Sequence, residues 1–129
     1  ITMARQVNES KPEFVIQKVL KAADKFKNPV IVCLGLAFKA DIDDLRESPS
    51  LEIVEALSEK ECGRILAVEP FIQQLPDSLS QRSVELVTHA EGIVVADIIL
   101  LLVDHKQFIQ IDQKRLQQKI VIDTRGVWN

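Results

Sequence analysis

Apolar positions in this chain fall into two kinds of pattern that alternate along its length. Val30–Leu34 is apolar at every position, which is how a strand covered on both faces of a parallel sheet reads. Residues 64–68 repeat that pattern after Gly63, residues 83–87 alternate enough for a short strand, residues 98–103 form the most apolar strand, and residues 120–122 close the series. Between them the spacing is helical. Residues 11–26 carry Phe14, Val15, Val19, Leu20, Ala22 and Ala23 on one side, with Pro12 allowed in the first turn and Asn28-Pro29 as the stop. Leu51, Val54 and Leu57 form a second helical face, closed by Gly63. Thr88 is placed to cap a helical turn running to Ala96, residues 112–118 read as a polar helical turn, and residues 71–82 as a loop or short irregular helix.

Strands alternating with helices predict a single doubly wound α/β domain: about five mainly parallel strands, helices on both faces in three layers, Rossmann-like, ordered 3-2-1-4-5. In such a sheet the crevice falls between strands 1 and 4, where the order reverses, and all C-terminal loops lie along one edge. The segment after strand 1, residues 35–50, is therefore the first place to look for a site. Gly35 ends the strand, and Ser48-Pro49 reads as N-cap and first helical residue. Lys39 and Arg46 face Asp41, Asp43, Asp44 and Glu47 in sequence, so the segment is net negative by two (two cations minus four anions). Anion binding here must come from individually placed groups: a lysine point charge, an arginine fork and backbone N–H donors. On spacing alone, a solvated charged loop is an equal reading.

The run Gly35-Leu36-Ala37-Phe38-Lys39, followed by Asp43-Asp44-Leu45-Arg46-Glu47-Ser48-Pro49, resembles the signature of the UDP-glucose/GDP-mannose dehydrogenase family in its C-terminal, UDP-binding domain. Eight fixed residues over fifteen positions make the likeness specific. It extends to both ends: Ala4-Arg5-Gln6-Val7-Asn8 is similar to the end of the family's central linking helix, and Ile122-Asp123-Thr124-Arg125-Gly126 to its last strand and turn. The resemblance implies residues 1–28 as the end of the linking helix and the first helix of the domain, and residues 29–129 as the UDP-binding domain of a longer enzyme.

Such enzymes oxidise the C6 alcohol of a UDP-sugar to a carboxylate in two hydride transfers to NAD, through an aldehyde, a thiohemiacetal and a thioester on a cysteine. By the resemblance, Phe38, Lys39 and Arg125 bind the UDP-sugar and Arg46 reaches NAD, which is held mainly by an N-terminal domain. The remaining domains and a homo-oligomeric enzyme are the implied partners. Within the family, Ile42-Asp43-Asp44-Leu45-Arg46, Val68-Glu69-Pro70, Asp104-His105 and Gly126-Val127-Trp128 look most like the UDP-N-acetyl-D-mannosamine dehydrogenase subgroup, which serves surface polysaccharide synthesis. UDP-glucose dehydrogenases are the runner-up.

Two other residues stand at the predicted edge. Glu69 ends strand 2, where an acid often binds a ribose hydroxyl, but the dinucleotide half of the family lies upstream and the usual family residue before this proline is Asp, so a structural role is the stronger reading. His105 follows strand 4; a lone loop histidine is more often a surface hydrogen-bonding residue, so it ranks as a supporting candidate only.

Composition changes the picture by exclusion. The 129 residues suit one domain with a real core, at 47% hydrophobic and 27% charged. A formal net charge of −3 with no basic cluster argues against nucleic acid. The longest apolar run, residues 92–103, is interrupted by Asp97 and falls short of the about 20 residues that cross a bilayer, and no signal peptide is visible, so a cytoplasmic protein is expected. Cys33 and Cys62 read as small buried hydrophobes rather than a disulfide or metal pair. No catalytic residue and no metal ligand is expected in this stretch, because the family's catalytic cysteine belongs to an upstream motif. A non-catalytic receiver-like module is the competing class, but it requires acids after strand 1, where Gly35-Leu36-Ala37-Phe38-Lys39 stands.

Overall fold

The computed structural model describes residues 12–37, 39–41, 45 and 48–128. The chain runs α1 (Pro12–Ala23), β1 (Val30–Leu34), α2 (Pro49–Lys60), β2 (Arg64–Val68), α3 (Asp77–Ser80), β3 (Glu85–Leu86), α4 (His89–Val95), β4 (Ile98–Leu101), α5 (Lys106–Ile109), a 3₁₀ turn (Gln113–Leu116) and β5 (Ile120–Asp123). All strand pairs are parallel, and their order is β3-β2-β1-β4-β5, as the alternation of elements predicts. Register places Ile31 beside both Ile65 and Ile98, so the central strand is flanked by branched side chains on each side.

The pleat divides the core in two. Ile31, Cys33, Ile65, Ala67, Ile98 and Leu100 pack with Val15 and Val19 of α1 and Ile53, Val54 and Leu57 of α2. Val32, Leu34, Leu66, Val68, Ile99 and Leu101 point the other way, toward Ile93 of α4, Phe108 of α5, Leu116 and Trp128. Apolar side chains alternate to both faces along each central strand, which is why these strands read as unbroken apolar runs. Asp97, the one charge in the run before β4, sits at the opposite edge and accepts the Val30 N–H at 2.9 Å, stitching the starts of β1 and β4.

Local details follow the expected chemistry with three differences. Ser48 caps α2 with Pro49 in the first turn, and Thr88 caps α4 in a reciprocal box with Glu91. The left-handed residue that ends α2 is Glu61 (φ 51°), not Gly63; a Cβ on Gly63 would instead lie 2.4 Å from the Pro29 carbonyl, so that glycine serves strand packing. Strand β3 is only two residues long, with Ser83 at φ 64° before it. The segment after β4 is not an open loop: His105 is the N-cap of α5 and is fully buried.

Candidate functional site

Gly35 turns the chain at the C-terminal end of β1 with φ +104°, and a Cβ there would lie 2.5 Å from Val103 Cβ, so only glycine lets the loops after β1 and β4 close on each other. The segment that follows is held unusually deep. Leu36 and Ala37 are fully buried, and their N–H groups donate to Glu69 Oε1 at 2.9 and 3.1 Å. Their carbonyls accept from Ser48 Oγ at 2.7 and 3.2 Å, while the same Oγ accepts the Leu51 N–H as the α2 cap. One serine thus joins the helix N-terminus to the start of the loop.

Glu69 is 2% exposed. Its second oxygen accepts the Phe71 N–H at 3.1 Å, and Oε1 also meets His105 Nε2 at 2.9 Å. On the far side of the ring, His105 Nδ1 accepts the Asp41 N–H at 2.8 Å, which assigns the ring proton to Nε2. Asp41 answers with Oδ1, which accepts the Lys106 N–H at 2.9 Å and so caps α5 from another loop. The Glu69 carboxylate is therefore engaged by four protein donors and braces the loop; it does not stand open as a ribose acceptor. His105 is likewise an interior link between three loops rather than a surface residue.

Of the residues singled out by sequence, Lys39, His105 and Arg125 all lie along the C-terminal edge of the sheet. Lys39 is exposed, two residues from the Asp41 anchor. Arg125 is positioned by Asp123, whose carboxylate accepts the N–H groups of Arg125, Gly126 and Trp128 at 2.9, 2.7 and 3.0 Å. Arg125 Nε donates to the Leu102 carbonyl at 2.9 Å, which fixes the guanidinium at the end of β4. Among the described residues its terminal nitrogens make no hydrogen bond, leaving one edge of the fork available to an anion. Phe38 and Arg46 lie outside the described residues. Beside this edge, a cavity of about 410 Å³ opens between the ends of β2 and β3, with Val68, Ile72 and Leu86 among its apolar lining and Glu69, His89 and Glu91 among its polar lining.

The thiols are poorly suited to nucleophilic chemistry. Burial pushes Cys33 up to about 12 and also raises Cys62, and both are free. Among the described residues no cluster of three or more His, Cys, Asp or Glu could hold a metal ion, and no helix is long and apolar enough to cross a membrane. Glu69, Asp123 and Ser48 complete the set that shapes this edge. Sequence signals existed for Ser48 as a helix cap and, in the adjacent residues of its turn, for Asp123, but the Glu69 carboxylate reveals its partners only once the strand order is known.

Residues 32–129 match the sequence profile of the UDP-glucose/GDP-mannose dehydrogenase family, UDP binding domain. The chain is 51% identical over 129 residues to an NDP-N-acetyl-D-galactosaminuronic acid dehydrogenase of Ralstonia nicotianae, covering all of this chain and 30% of that protein. It is 47% identical over 117 residues to a UDP-N-acetyl-D-mannosamine dehydrogenase of Campylobacter jejuni, covering 90% of this chain and 29% of the relative. A solved UDP-N-acetyl-mannosamine dehydrogenase from S. aureus shares the fold with a TM-score of 0.73 at 24% identity, over 90% of this chain and 27% of that one. The chain thus spans about 30% of the length of the curated relatives it matches.

Proposed function

Because this chain belongs to the UDP-glucose/GDP-mannose dehydrogenase family, as its UDP binding domain, we propose that it binds the UDP-sugar substrate of an NAD-dependent UDP-sugar 6-dehydrogenase. The observation that carries the proposal is a family match over residues 32–129, which takes in the whole loop-bearing edge between Gly35 and Trp128. In this reading Lys39 and the available edge of Arg125 hold the pyrophosphate or ribose oxygens, Phe38 offers apolar surface beside the ligand, and residues 29–129 are the binding unit behind a linking helix within residues 1–28.

NAD, when bound, supplies the hydride acceptor. Two features of this chain support placing the main part of the NAD site elsewhere: the turn after β1 lacks a G-x-G-x-x-G pattern, and the Glu69 carboxylate is engaged by protein donors. We therefore assign NAD to the rest of the protein, with Arg46 as this chain's contribution toward it. A cytoplasmic homo-oligomer completes the proposal.

The substrate we propose is UDP-N-acetyl-D-mannosamine, on the subgroup residues and on the 47% identical relative of that name. The 51% identical relative favours a second reading, a nucleotide-linked N-acetyl-D-galactosamine derivative. Comparing kcat/KM of the full-length enzyme for these two sugars and for UDP-glucose decides between them; preference for UDP-glucose would overturn both.

Calorimetric titration of UDP-N-acetyl-D-mannosamine into the chain tests the binding role. Lys39→Ala should remove a charge-assisted hydrogen bond of roughly 1.5 to 3 kcal/mol and weaken binding about 10- to 100-fold. Arg46→Ala should hardly change it. An equal or larger loss at Arg46 would show that the two cations have been assigned to the wrong ligands.

A further inference from the structure

Lys39 lies on a span whose two ends are fastened by one buried pair. At the start, the N–H groups of Leu36 and Ala37 converge on Glu69 Oε1 at 2.9 and 3.1 Å. At the end, the Asp41 N–H meets His105 Nδ1 at 2.8 Å, and the ring is joined to the same Oε1 through Nε2 at 2.9 Å. Both side chains are fully buried. The imidazole is also wedged between Phe71 and Phe108, with ring centroids 5.0 and 5.3 Å away, so it has little room to turn. Asp41 itself lies in the left-handed region at φ 61°, which aspartate tolerates better than most non-glycine residues.

A loop that needed only to be covered could be covered by apolar side chains, and replacing a buried polar cluster in that way is often neutral or stabilising. What the polar pair adds is a fixed backbone. Its bonds fall on residues before and after Lys39, while Lys39 itself is exposed and makes no ion pair among the described residues.

We propose that Glu69 and His105 are positioning residues for nucleotide binding, fastening both ends of the span that carries Lys39 so that its ammonium meets the ligand without a prior ordering step. This rests on the reading of Lys39 as a UDP ligand. Neither residue touches UDP; each acts through backbone N–H groups, those of Leu36 and Ala37 on one side of Lys39 and that of Asp41 on the other.

The test pairs amide hydrogen exchange with calorimetric titration of UDP into this chain. Glu69→Leu removes both acceptor oxygens, so exchange at Leu36, Ala37 and Asp41 should rise together while β1 and β4 stay protected. UDP affinity should fall about tenfold. His105→Gln leaves the carboxylate in place, so exchange should rise at Asp41 while Leu36 and Ala37 remain protected, and it carries the decision if Glu69→Leu does not fold. Val19→Ala, a core truncation in α1, controls for stability alone and should leave UDP affinity unchanged. Unchanged exchange at the three amides would overturn the brace. Faster exchange with unchanged UDP affinity would overturn its role in binding. A wild-type chain with no affinity for UDP would overturn the ligand reading and the binding role together, while the exchange data would still decide whether the pair fastens the span.

Discussion

Burial by itself would raise the pKa of the Glu69 carboxyl, yet the hydrogen bond from His105 and those from Leu36 and Phe71 outweigh it and leave the pKa lowered. A lowered carboxyl stabilises the fold above the unfolded value, about 4.3 for a free glutamate, and that contribution is lost as pH falls through the folded value. Stability measured by urea unfolding should therefore climb between the two values in the wild-type chain, and Glu69→Gln should lack that part of the climb. Identical acid limbs for the two proteins would show that the carboxylate is not held as described. Glu69 and His105 are 36 positions apart, and neither the acid nor the histidine carries a local pattern that names the other. Their pairing follows from the ends of β2 and β4 both lying beside β1, a fact of topology. Gly35 and Ser48-Pro49, in contrast, were legible because turn and cap chemistry is written in adjacent residues.

Elements were legible to the extent that burial imposed a period on them. The central strands are covered on both faces and showed as apolar runs, whereas β3, with Glu85 exposed and only two paired residues, lies at the sheet edge and has little burial to mark it. Helix α5 hid for a different reason: four residues are too few for a helical period, and its cap comes from Asp41, 64 positions before His105. Helix α2 is the element on which the site depends most directly, because Ser48 caps its N-terminus and holds the Leu36 and Ala37 carbonyls with one hydroxyl. Ser48→Ala should cost about 1–3 kcal/mol, combining a lost cap with a buried carbonyl left unpaired. It should also weaken UDP binding, since the start of the Lys39 span loses its second fastening. That loss of stability with unaltered UDP affinity, read from thermal melts and calorimetry, would confine Ser48 to the helix.

Taken as one molecule, the sheet order sets what this chain can and cannot do. The reversal between β1 and β4 gathers the Gly35 turn, the Glu69–His105 pair and the Arg125 turn along one edge, which suits the binding of a phosphorylated ligand. Neither thiol stands at that edge. Cys33 points into the core beneath α1 and α2 with its thiol pushed up to about 12, and Cys62 lies after α2, toward the end of the sheet at which β2 begins. The carboxylate at the end of β2, where a cofactor ribose is often held, is engaged by protein donors instead. The 129-residue chain, mixed with NAD and UDP-N-acetyl-D-mannosamine, should therefore bind the sugar nucleotide in a titration and yet produce no NADH absorbance, while the full-length enzyme produces it under the same conditions. Binding without turnover separates the two functions by segment. Turnover by the pure chain would mean that a hydride site and a nucleophile exist within these residues, and the division of labour proposed for this protein would have to be abandoned.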